Sequence, residues 1–196
     1  MLIPLDQRNA RVHTDRVTTN QTDVYDLARA VLSRIAHPVA VIGAARGDER
    51  SCGTGTLMYV SLAPAMIAIA EHPGSRTARL IHESGEFSAS LLHDSQQDIA
   101  VAAGKSAAGP DKFATLKIRT IDAPDGLHAP GVAGSVAVLW CRVVNTIATG
   151  DHQLFVGEIA AHQVDDRRWD PLLRYRRRYF RMGHWTSEES PEGYPT

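Results

Sequence analysis

The chain has 196 residues, 43% hydrophobic and 22% charged, which suits one globular domain that buries its own core without metal or disulfide staples. A formal net charge of −1 provides no overall field toward nucleic acid or a membrane surface, and neither is expected as a partner. The two cysteines, Cys52 and Cys141, form no Cys-x-x-Cys pair and read as buried thiols of a reducing compartment; with no signal sequence and no apolar run long enough to span a bilayer, a cytoplasmic protein is expected.

Residues 1–21 are polar and aperiodic and read as a flexible arm. Val24, Leu27, Ala28, Val31, Leu32 and Ile35 then recur at helical spacing, with Thr22 or Asp23 as cap and His37-Pro38 as the stop. The period changes at VAVIGAA, residues 39–45. This run, the Gly- and Thr-rich stretch 51–60 and MIAIA after Pro64 read as three strands of an antiparallel meander. Ser75 or Thr77 caps a short helix that stops at Gly85, and FSASLL at 87–92 alternates as a strand. Residues 95–103 read as a helix capped by Asp94, 104–110 as a loop and 117–121 as a short strand.

The best hairpin follows. Residues 136–147 and 154–164 are apolar, strand-like runs joined through Gly150, Asp151 and His152. Five arginines then crowd residues 174–181. They fit a phosphate or nucleic-acid patch, a solvated face over Tyr175 and Tyr179, or a cradle for a phosphorylated cofactor. Residues 184–196 read as a flexible acidic tail behind a domain spanning 22–183. About six strands without βαβ alternation, one leading helix and short inserted helices give a mainly β chain closed as a small barrel.

Several site types are excluded by pattern. GTGTLM from Gly53 departs from a dinucleotide fingerprint, there is no Walker loop and no Gly-x-Ser-x-Gly elbow, and the nine histidines form no metal spacing. Other motifs line up in order: HPVAVIGA at 37–44, YVSLAPAMIAIA at 59–70, SRTARLIHESGEFSASLL at 75–92, DKF at 111–113, LWCRVVNTIATGDHQLFVGEI at 139–159 and PLLRYRRRYFRMG at 171–183. In this order and spacing, residues 22–183 closely resemble the flavin reductase-like family, the short-chain flavin reductases that serve two-component monooxygenases. The chain departs from the family pattern at Gly55, Thr56 and Leu57, where Ser-Ser-Phe is usual, and at Leu62, Ala63, Pro64 and Ala65, where Leu-Asp-Pro-Pro is usual.

The resemblance implies a split β-barrel of Greek-key type, a homodimer with FMN or FAD near its interface, and reduction of that flavin by NADH or NADPH for a partner oxygenase. It implies that Thr54, Gly55, Thr56 and Leu57 line the flavin. It further implies that Ser75, Arg76 and Thr77 hold its phosphate, a role suited to the free N–H groups at the start of a helix. Lys112 and Phe113 are candidates for a charge and an aromatic wall. His152, the candidate catalytic residue, is implied to lie by the flavin where the nicotinamide docks, and a positioning role suits it, because hydride transfer between cofactors needs alignment more than a proton relay. Two other readings stand beside this one: a flavoprotein of the same fold with tightly held flavin that acts on another substrate or carries electrons, and a non-catalytic binding module.

Overall fold

The computed structural model describes residues 26–27, 30–167 and 170–182; the expected arm 1–21 and tail 184–196 lie outside the described residues. In chain order the strands are β1 (His37–Pro38), β2 (Ala40–Arg46), β3 (Glu49–Gly55), β4 (Leu57–Leu62), β5 (Ala65–Glu71), β6 (Glu86–Leu91), β7 (Thr120–Ile121), β8 (Gly131–Val132), β9 (Ala137–Thr149), β10 (His152–Val164), β11 (Leu173–Tyr175) and β12 (Arg178–Phe180). Among the described residues three α-helices are inserted between strands: α1 (Arg76–Ser84), α2 (Gln97–Ala103) and α3 (Lys112–Thr115). The chain is mainly β, as expected, but its main sheet has seven strands, in the order β3-β2-β6-β9-β10-β5-β4.

Every neighbouring pair of this sheet is antiparallel. The sheet curls until edge strand β3 faces β5, so that a Cβ placed on Gly53 would lie 3.3 Å from Glu71 Oε1. Beyond this closure β4 splays outward, with Met58, Tyr59 and Leu62 exposed. The arrangement is a split barrel. Its inside is filled by Ile42, Ile67, Ile69, Phe87, Cys141 and Phe155 and is plugged by Leu80 and Ile81 of α1. Strand β2 is buried on both faces: alternation sends Ala40, Ile42 and Ala44 into this core, while Val41 joins Phe113, Ala100 and Leu172 in a second one.

Alpha-helix α1 forms where the turn residues predict it. Ser75 is its N-cap, with Oγ accepting the Ala78 N–H at 3.0 Å, and Gly85 ends it at φ +72°. The β9–β10 hairpin is also as expected, with Gly150 at φ +56° in the turn and thirteen residues in each strand.

Three expectations need correction. The stretch 51–60 is two strands, broken at Thr56, so the meander is two hairpins, β2–β3 and β4–β5, that lie at opposite edges of the sheet. His93, not Asp94, caps the helical segment before α2, with Gln96 Oε1 accepting the His93 N–H at 3.3 Å. Residues 111–113 open the short helix α3, because Asp111 Oδ1 accepts the Ala114 N–H at 3.0 Å, and of 117–121 only Thr120 and Ile121 are strand. The leading helix is found where expected: Asp26, Leu27 and Ala30 are helical, the Val31 N–H donates to the Leu27 carbonyl at 2.9 Å, and Leu32–Arg34 follows as a 3-10 turn, with Leu27, Val31, Leu32 and Ile35 each more than half exposed; Val24 and Ala28 lie outside the described residues. Among the described residues no helix is long and apolar enough to cross a membrane.

Candidate active site

Strand alternation builds one wall of the site. Ile67, Ile69 and Glu71 share a face of β5, so the acid at the end of the strand follows two core side chains inward. The chain then turns through His72 and Gly74 into α1, whose first-turn N–H groups point away from the helix body. Opposite stand β3 and the start of α3, where Lys112 donates from Nζ to the carbonyls of Cys52 at 2.6 Å and Ala103 at 2.9 Å.

Between these walls lies a cavity of about 390 Å³. Five of the sequence-predicted residues line it together: Thr54, Ser75, Arg76, Thr77 and Lys112. Thr54 donates to the carbonyl of Ala100, and the Arg76 guanidinium donates to the carbonyls of Gly109 and Ala107, which ties the loop 104–110 across the cavity. Thr77 is buried with its hydroxyl 3.0 Å from that of Ser51.

The other five lie elsewhere. Gly55 ends β3 against Ile42, and Leu57 packs on the barrel core. Thr56 sits between β3 and β4 with a buried hydroxyl that has no hydrogen-bond partner among the described residues. Phe113 is fully buried in the second core, with the Arg50 guanidinium 5.5 Å from its ring centroid. His152 is exposed at the start of β10; its Nδ1 lies 2.7 Å from Asp151 Oδ1, and its ring centroid lies 6.2 Å from that of His72. The hydrogen bond to His152 holds the Asp151 carboxyl below its ordinary range.

Sequence reasoning missed Glu71. Its carboxyl group is about nine-tenths buried in the cavity wall, and burial raises its pKa from 4.5 to about 7, against smaller opposing effects of the Ser75 hydroxyl, His152 and Lys112. Its signal was available: a strictly alternating strand places residue i+4 on the same face as i. Burial also lowers the pKa of Lys112, and it pushes the Cys52 thiol up to about 11 and the Cys141 thiol to about 12, so both thiols stay protonated and inert.

The arginine cluster does not line this cavity. Arg176 and Arg177 form the β11–β12 turn at positive φ, while Arg174 stacks 5.7 Å from the Tyr179 ring centroid and Arg176 5.5 Å from that of Tyr175. The solvated face over tyrosines is the arrangement found. A larger hollow of about 550 Å³ beside Val138 and Val164 holds none of the predicted residues.

The cavity fits the phosphorylated end of a flavin. Two glycines leave bare backbone on facing walls: a Cβ on Gly53 would meet Glu71, and one on Gly104 would come within 3.5 Å of Thr54 Oγ1. The helix start, Arg76 and Lys112 supply donors and positive charge suited to an anion.

The profile of the flavin reductase like domain matches residues 32–183, which contain every residue described above from the 3-10 turn to β12. The chain belongs to the flavin reductase like domain family. It is 30% identical over 151 residues, covering 76% of this chain and 83% of the relative, to an NADH:riboflavin 5'-phosphate oxidoreductase of Streptomyces pristinaespiralis. It is 28% identical over 155 residues, 79% of this chain and 94% of the relative, to the reductase component of 4-hydroxyphenylacetate 3-monooxygenase of Thermus thermophilus. The structure of the NADH:FAD oxidoreductase SgcE6 of Streptomyces globisporus superposes with a TM-score of 0.76 at 24% identity, covering 85% of this chain and 97% of that one, so the two share a fold. In this flavin reductase like domain the matched span takes in the whole barrel and all ten predicted site residues.

Proposed function

We propose that this chain is a cytoplasmic NAD(P)H:flavin oxidoreductase that binds FMN or FAD, works as a homodimer, and passes reduced flavin to a partner monooxygenase. The observation that carries the reading is the convergence of Thr54, the Ser75–Arg76–Thr77 helix start and Lys112 on one cavity in a chain of this family. Family membership and relatives named as NADH-dependent flavin oxidoreductases and monooxygenase reductase components support the reaction and the oxygenase partner. The buried, protonated thiols suit a reducing compartment.

The bound flavin supplies the two-electron acceptor for the nicotinamide hydride. The chain's own residues bind and orient. The α1 start and the Arg76 and Lys112 charges hold the phosphate; Thr54 and the bare backbone of Gly53 let the ligand approach β3 closely. His152, exposed beside His72 and steered by Asp151, offers a surface to the incoming nucleotide. FMN or FAD is expected to raise the melting temperature of the protein by mass action, measured by thermal shift; no shift with either would contradict the flavin reading. His152→Ala is expected to raise the apparent KM for the nucleotide about tenfold with flavin affinity unchanged, measured by steady-state kinetics and flavin fluorescence quenching.

The homodimer is supported by apolar surface that a lone chain leaves in water: Leu27, Val31 and Leu32 on the leading segment, and Met58, Tyr59 and Leu62 on the splayed β4. Sedimentation at twice the chain mass is expected, and a monomer at all concentrations would contradict it.

A further inference from the structure

Glu71 has no role in the scheme above, yet it is the most deeply buried acid of the cavity. Among the described residues its one hydrogen-bond partner is the Ser75 hydroxyl, 3.5 Å from Oε2, and no ion pair reaches it. Ser75 caps the helix assigned to the phosphate, so this carboxyl group stands beside the anion's seat. Gly53 makes the space for it, and a side chain there would press on Oε1 at 3.3 Å.

We propose that Glu71 is a specificity-determining residue of the flavin site: its carboxyl group admits the flavin phosphate when protonated and repels it when ionised, so that phosphorylated flavin binds with uptake of a proton. This rests on the reading that the cavity takes a flavin phosphate. The charged groups around Glu71 offset the burial of its carboxyl group only in part. From β3 the Cys52 thiol is neutral. From α3 the Lys112 ammonium, bonded to two carbonyls, keeps its charge but lowers the Glu71 pKa less than burial raises it, and from α1 the Arg76 guanidinium is bonded to the loop carbonyls of Gly109 and Ala107 and forms no ion pair with Glu71. From the β9–β10 turn His152 is paired with Asp151, the His72 ring holds the Gly74 N–H at 3.1 Å, and Lys105 lines the far wall exposed to solvent. The buried carboxyl group titrates near neutral pH, where a flavin monophosphate is already close to dianionic. Two like charges cannot share this site at little cost, so binding of the phosphate draws a proton onto Glu71.

The test is equilibrium binding of FMN, FAD and riboflavin to the full chain, read by flavin fluorescence between about pH 6 and 8.5. In the wild type the Kd for the phosphorylated flavin is expected to rise about tenfold above neutrality, while that for riboflavin stays flat. Glu71→Gln, close to isosteric, is expected to remove the rise and to bind the phosphorylated flavin about tenfold tighter than wild type at about pH 8.5, with riboflavin affinity unchanged. Calorimetry of the wild type in buffers of different ionisation enthalpy, which needs no variant, is expected to show proton uptake approaching one. A Glu71→Gln protein that binds FMN and FAD no more tightly than wild type at the alkaline end, an equal gain for riboflavin, or binding without proton uptake would each overturn the proposal. Absence of any flavin binding at every pH would instead overturn the flavin reading itself, and the proposal with it.

Discussion

Gly157→Val is expected to destabilise the protein by about 3 kcal/mol and to lower its melting temperature by about 6–12 °C. Gly157 lies in the middle of β10, facing Ile67 of β5 and Val143 of β9 at a shift of register. A Cβ there would sit 2.6 Å from Phe87 Cε1, 2.7 Å from Phe87 Cζ and 2.8 Å from Cys141 Cβ. None of these atoms has room to move, because Phe87 and Cys141 are fully buried at the centre of the barrel. Overpacking in a close-packed core forces neighbours off their rotamers, and valine adds two methyl groups beyond the clashing Cβ. Thermal melts compare the variant with wild type, and a melting temperature within about 1 °C of wild type would contradict this packing. The glycine of the Gly-Glu-Ile motif thereby has a structural reason: it lets β10 cross the Phe87 ring. Flavin affinity of the folded fraction is expected to be unchanged.

Glu71→Gln is expected to raise stability at alkaline pH by about 3 kcal/mol and to leave it unchanged at about pH 4.5. The folded chain holds the Glu71 proton up to about pH 7, whereas an ordinary glutamate loses it near 4.5. Between these values the native state binds more protons than the unfolded state, so wild-type stability falls as pH rises through the window and the full cost stands above it. Glutamine carries no charge to desolvate and escapes that cost. Urea melts of both proteins at the two ends of the window measure the difference; equal stability at about pH 8.5 would show that the carboxylate is well solvated in the native state.

The hairpin from β9 to β10 was legible because long runs of β-branched and aromatic residues flank a Gly-Asp turn, and the helix α1 because Ser75 and Gly85 mark both its ends. The break at Thr56 was not legible. Small residues on both sides carry no apolar period, so nothing local told one strand from two that end at opposite sheet edges. The leading stripe carries helical spacing, but periodicity reports a face and not what covers it; Leu27, Val31, Leu32 and Ile35 face outward. At the site, the residues with local chemistry, Thr54, Ser75, Arg76, Thr77 and Lys112, were brought to one cavity. Phe113, read as an aromatic wall, is placed in the second core instead, because α3 turns its ring under Gly43 of β2. Glu71 was hidden by the habit of reading a charged residue at a strand end as solvated, although Ile67 and Ile69 had fixed its face.

The most direct test of the central claim is nicotinamide oxidation by the purified protein, followed by absorbance with NADH and NADPH, each in the presence and absence of FMN and FAD. The result expected is oxidation of at least one nucleotide that depends on added flavin and saturates in both substrates. No flavin-dependent oxidation of either nucleotide with either flavin would contradict it.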